Sequence, residues 1–190
     1  AMKKTLQVFF ALFMIIAVTG KVFTQDESMK KWMDYMTPGD MQKMLAKGVG
    51  TWKMKTTFWM APGTEPMNSD ATAVSEMILG GRYLSTKISG NMMGMPFEGI
   101  STEAYDNAAN VFVTSWIDNM GTGMMYMTGK WDESTKSISY SGRAVDPLTG
   151  NWIDVRQVVT YTSENSTKME MYGPGPDGKE FKNMEIISTK

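Results

Sequence analysis

Charged side chains that interrupt apolar strand faces are the residues of this chain best suited to chemistry, because burying a charge without a partner is costly. Glu76 stands between Val74 and Ile78 in an alternating run, and Arg82 shares a face with Leu84 and Ile88. Asp118 follows Phe112 and Trp116 on one face, and Arg156 lies between Asp154 and Val158. If Tyr161 pairs with Asn165 or Ser166 across a turn, Arg156 comes near Glu170. Arg82 or Arg156 could hold a ligand carboxylate through two parallel hydrogen bonds, with Trp59, Tyr83, Trp116 and Tyr126 forming the apolar wall of a small-ligand site. Glu76, Glu103 and Asp118 are the carboxylates that could transfer a proton on such a ligand, and a raised pKa beside a cavity would mark the one that does. The structural alternative for each charge is an ion pair or a solvated outer position.

Composition removes most other chemistry. The 190 residues include no histidine and no cysteine. Ser-His-Asp and Cys-His catalysis, zinc sites that use His or Cys, and His-ligated haem are excluded. No disulfide can form, so core burial must hold the fold. No cofactor is expected.

Methionine is over-represented, with 21 residues, 19 of them beyond Met2 and Met14. Met92, Met93 and Met95 form one cluster, and Met120, Met124, Met125 and Met127 another. Thioethers suit Cu(I), which makes copper binding a minor alternative. Met125 and Met127 share a strand face while Met124 points to the other, a poor arrangement for a single metal ion. Adaptable packing or pocket lining is the preferred reading.

The elements that must position these residues are mostly strands. From Thr51 onward the apolar period is two, and turn signals recur at Pro62-Gly63, Gly80-Gly81, Gly90-Asn91, Asp106-Asn107, Asn119 to Gly121, Asp132 to Thr135, Asp146 to Asn151, Glu164-Asn165 and Gly173 to Gly178. The runs between them predict ten strands near 51–60, 70–79, 82–90, 96–105, 110–117, 122–131, 136–144, 152–162, 166–172 and 181–189. Many short, evenly spaced strands without intervening helices predict an all-β antiparallel barrel or sandwich.

Two short helices precede the strands. Met29, Trp32, Met33 and Met36 form one helical stripe. A second helix is expected to start with Thr37 as N-cap and Pro38 as first helical residue, to present Met41, Met44 and Leu45, and to stop at Gly48. The expected role of both helices is to cover a barrel end.

The first residues read as an export signal. Lys3-Lys4 precede an apolar run from Leu6 to Val18, which is too short to span a bilayer as a helix. Residues 1–24 are expected to be removed, with 25–49 helical and 50–190 forming the barrel. Cutting after Thr24 removes Lys3, Lys4 and Lys21, which leaves 16 of the 19 basic residues against 20 acidic ones, a net charge of −4. A mildly acidic domain lacks the basic footprint of a nucleic-acid binder.

Two resemblances refine this picture. Gly50-Thr51-Trp52, at the head of the strands, resembles the Gly-x-Trp signature of lipocalins, fatty-acid-binding proteins and other calycins. In those folds the Trp closes one barrel end beneath a basic side chain from a late strand, and here the last residue is Lys190 rather than Arg. The resemblance to a bacterial domain-of-unknown-function family, number 1579, covers nearly the whole mature chain. It rests on Trp32-Met33-x-Tyr35, Thr37-Pro38-Gly39, Trp59-Met60-x-Pro62-Gly63, Leu79-Gly80-Gly81-Arg82-Tyr83, Gly94-Met95-Pro96-Phe97-Glu98-Gly99, Tyr105-Asp106-Asn107, Trp116-Ile117-Asp118, Asp146-Pro147-x-Thr149-Gly150 and the run from Tyr172 to Glu180. That family often carries a His where this chain reads Gln42 or Lys43. The resemblance implies an exported or envelope-associated barrel and no particular reaction.

The expectation is thus a calycin-like antiparallel β-barrel of about ten strands with short N-terminal helices. It would be periplasmic or secreted, have no membrane span after signal cleavage, and bind a small apolar or amphipathic ligand. A carboxylate-dependent enzyme and a structural or interaction protein of the envelope are the alternatives.

Overall fold

In a computed structural model, which describes residues 26–190, ten antiparallel strands close into one barrel. The expected signal segment 1–24 lies outside the described residues. The strands are β1 (Gly50–Phe58), β2 (Met67–Ile78), β3 (Tyr83–Met92), β4 (Met95–Asp106) and β5 (Val111–Asp118), followed by β6 (Met125–Asp132), β7 (Ser137–Val145), β8 (Trp152–Ser163), β9 (Ser166–Pro174) and β10 (Glu180–Thr189). Each pairs with its sequence neighbour, and β1 pairs with β10 to complete the ring. All ten predicted strands are present, with the largest boundary shifts at the starts of β2 and β6.

The chain divides into two compact units, the first ending at Thr37 and the second spanning Pro38–Lys190. A helix over residues 26–36, α1, belongs to the first unit. It carries Met29, Trp32, Met33 and Met36 as exposed side chains, and the Thr37 hydroxyl donates to the Met33 carbonyl at its end. Helix α2 (Asp40–Ala46) belongs to the second unit. It starts two residues later than expected, with Gly39 as its N-cap. The reason is Gln42: its side-chain oxygen accepts the Gly39 N–H at 2.8 Å and so satisfies a donor the Thr37 cap was expected to serve. The Gln42 amide also donates to the Tyr105 carbonyl and the Asn107 side chain, which ties α2 to the end of β4. Met41, Met44 and Leu45 face the core as the sequence predicts.

Helix α2 lies at the barrel end where the strand connections are short. There the Trp52 indole donates to the Gly48 carbonyl at 2.7 Å. The Lys190 ammonium sits 4.8 Å from the Trp52 ring centre and donates to the Lys47 carbonyl at 3.0 Å. Lys190 therefore takes the place of the basic side chain that closes calycin barrels. The longer connections, 59–66, 119–124, 146–151 and 175–179, gather at the opposite end. Among the described residues no helix is long and apolar enough to cross a membrane.

Strand alternation sorts every side chain to the inside or outside. Two buried clusters fill the interior. One, behind α2, contains Leu45, Leu84, Phe112, Met127, Ile138, Tyr140 and Val155. The other contains Trp52, Met54, Ala73 and Ile88, with Phe97, Trp116 and Ile186 packed against it. Close backbone approach shapes both. A Cβ on Gly99 would lie 2.2 Å from the Trp116 ring, and one on Gly129 would lie 2.8 Å from the ring of Tyr140 across the ladder. Glycine at these positions lets an aromatic ring lie over the neighbouring strand.

Candidate functional site

The burial pattern places the carboxylate of interest. On β4 the odd-numbered residues from Phe97 to Tyr105 face inward, which sends Glu103 into the barrel. In a closed ring of ten strands β4 stands five strands from β9 in either direction, so Glu103 points across the interior toward the β8–β9 side. Two tyrosines from that side converge on it, Tyr140 from β7 and Tyr161 from β8, both close enough for the Glu103 charge to raise their pKa.

Glu103 is deep in the molecule but half-buried rather than sealed. The carboxyl therefore points into the barrel interior, shielded from bulk solvent. Of its inward neighbours across the ring, Gln157, Val159 and Tyr161 of β8, Met169 and Met171 of β9, and Met184 and Ile186 of β10 are all half-buried. Among the inward residues of β5–β7, Phe112, Met127, Ile138 and Tyr140 are covered to within 1%. Half-buried inward residues also occur on β5–β7 (Trp116, Met125 and Trp131), and on β8 Val155 belongs to the buried cluster behind α2, with Val159 and Tyr161 packed against it.

Electrostatics follow from that placement. Burial removes water from the Glu103 carboxylate, and its pKa rises from 4.5 to about 7. Burial, and secondarily the Glu103 charge, pushes the Tyr140 and Tyr161 phenols up from 10. The Tyr140 hydroxyl is buried without a hydrogen-bond partner, a state that costs about 1–3 kcal/mol and asks for an explanation. Every Lys and Arg of the ten strands (Lys53, Lys55, Lys87, Lys130, Arg143, Arg156, Lys168 and Lys182) alternates to the outer face. Among the described residues no group of three or more acidic side chains is placed to hold a metal ion.

The structure brings only part of the predicted constellation inside. Trp116 and Asp118 face inward on β5, where the Trp116 indole donates to Asp118 at 2.6 Å and stacks on Phe97 at 6.2 Å. Asp118 also accepts the Met120 N–H, so it anchors the β5–β6 connection. Glu76 is exposed on the outer face of β2. Tyr83 and Tyr126 lie outside as well, paired with Ala104 and Arg143. Arg82 is in the β2–β3 turn and donates to the Leu79 carbonyl at 3.0 Å. Trp59 follows β1, with the Lys182 ammonium 5.3 Å from its ring centre.

Arg156 is on the outer face of β8. It makes a two-pronged pair with Glu180 and lies 3.8 Å over the Tyr172 ring. The expected neighbour Glu170 instead binds Lys168 and Lys182. The physical reason is the register: the turn closes with Ser163 opposite Ser166, and beyond it Tyr161 opposes Thr167 and Arg156 opposes Tyr172.

The methionine clusters separate too. Met127 is fully buried and Met125 lines the interior, while Met93, Met95, Met120 and Met124 are exposed at the end with the longer connections. Glu103 was legible as a possible proton-transfer group. Its tyrosine neighbours were not, because their convergence depends on which strands face each other across the ring.

Comparison with known proteins bears on the fold. The profile of a family described as "Protein of unknown function (DUF1579)" matches residues 37–190. A crystal structure of Rv2717c from M. tuberculosis superposes with a TM-score of 0.57 at 9% identity, covering 81% of this chain and 99% of that one. A redesigned β-barrel matches with a TM-score of 0.38 at 16% identity, covering 77% and 93%. No curated protein matches the sequence.

Proposed function

This chain belongs to the DUF1579 family of proteins of unknown function, and from the chemistry of its interior we propose that it binds a small, mainly apolar ligand inside the barrel. One observation carries the reading. Glu103 points into the barrel, where Tyr140 and Tyr161 approach it beside half-buried apolar side chains of β8–β10, the form of an apolar site with a few convergent polar groups. The ligand enters from the end with the longer connections, since α2, Trp52 and Lys190 occupy the other. The apolar run at Leu6 to Val18 supports an exported protein, periplasmic or secreted.

Native mass spectrometry of gently purified protein, and titration with the neutral fluorophore N-phenyl-1-naphthylamine, test the proposal. Saturable uptake is expected, and Met171→Trp, which places a large ring among the half-buried side chains of β8–β10, is expected to abolish it. Absence of uptake by the folded parent protein would refute ligand binding.

The near-neutral pKa of Glu103 favours a second reading, proton transfer on the bound ligand. It predicts turnover of that ligand, lost in Glu103→Gln while binding persists. Binding without turnover leaves a carrier.

A further inference from the structure

We propose that the interior selects amphiphiles whose polar head donates hydrogen bonds, a protonated amine above all, and discriminates against carboxylate heads. This deepens the ligand-binding reading and rests on it. The observation is an asymmetry of charge. All eight Lys and Arg side chains of the strands point outward, while Glu103 points into the interior, with its carboxyl shielded from solvent. A ligand carboxylate would meet a like charge with no interior cation to offset it. An ammonium would meet its counter-ion where water is scarce, and a neutral hydroxyl or amide would donate to the same oxygens.

The remaining groups facing Glu103 fit a donor head. Tyr105 lies beside it on β4 and packs its ring on Phe112. Tyr140 of β7 and Tyr161 of β8 approach from across the interior. Because the Tyr140 hydroxyl lacks a protein partner, it is available to a head group held between it and Glu103. Asp118, the other inward carboxylate of β4 and β5, stands at the far end and is occupied by Trp116 and Met120.

Depth gives the orientation. Glu103 is three residues from the α2 end of β4, and Phe97 lies six residues further along the strand, about 20 Å away. Phe97 and the Trp116 ring stacked on it stand toward the entry end. The head therefore enters first, and an apolar tail trails past Phe97, Trp116, Met171 and Met184.

The test compares decylamine, decanol and decanoate by calorimetry with the parent protein and Glu103→Gln, both checked for fold by circular dichroism. The expected result is decylamine tighter than decanoate by about tenfold or more, the effect of one charge-assisted contact. In Glu103→Gln the ratio of decylamine to decanol affinity is expected to fall by a similar factor. Amine binding to the parent protein should strengthen between pH 6 and 8 as Glu103 ionises. Equal binding of decanoate and decylamine, or an unchanged amine-to-alcohol ratio in Glu103→Gln, would overturn the head-group selection while leaving ligand binding intact. Failure of all three probes to bind would overturn both.

Discussion

Glu103 shows how placement, more than residue type, sets the protonation of a side chain. The chain has 20 acidic residues, and most that pair do so at the surface, where an exposed ion pair contributes roughly 0–1 kcal/mol. Glu103 instead pays a desolvation cost that appears in stability. Its pKa is raised in the folded state, so the folded protein binds more protons than the unfolded chain between about pH 4.5 and 7. Stability should therefore be highest below that window, fall as pH rises through it, and level off above pH 7. The total loss is on the order of 3 kcal/mol. Glu103→Gln is expected to flatten that slope in urea denaturation at pH 5 and pH 8. A slope that persists in the variant would mean that another group carries it.

Pairs of neighbouring strands, and α2 against its strands, set the geometry around the site. Gly99 and Trp116 illustrate the sheet's part. The indole occupies the space a β4 side chain would take, and its N–H is held by Asp118. Gly99→Ala should displace the ring and cost about 1–3 kcal/mol through overpacking, read as a lower urea midpoint and an altered near-ultraviolet tryptophan signal. Trp116→Leu in the same chain should restore part of the loss. Gln42 plays the corresponding part for α2. It spends its amide on Gly39, Tyr105 and Asn107. That use is structural. Strand existence was readable from alternation and turn residues, because both are local. The face occupied by Glu76, and the Arg156 partner, depended on register; for Arg156, the turn that closes with Ser163 opposite Ser166 sets every neighbour beyond it.

Side chains inside the barrel are unevenly covered. Phe112, Met127, Ile138 and Tyr140 are almost fully covered, while Val159, Met169, Met171 and Met184 are not. Truncation should therefore be unequal. Phe112→Ala is expected to cost about 3–5 kcal/mol, and Val159→Ala less, about 1 kcal/mol, because a smaller and only half-buried side chain is truncated. Comparable losses in urea denaturation would mean that Val159 is as tightly packed as Phe112. Sequence alone determined the all-β class, the ten strands and the exclusion of His and Cys chemistry, because periodicity, turn chemistry and composition are properties of the chain read in order. Tertiary structure decided that Arg82 and Arg156 lie outside, that Glu103 lies inside, and that Tyr140 and Tyr161 meet it. Ring closure through β1 and β10 sets which strands face one another, and no local pattern encodes a contact across the barrel's diameter.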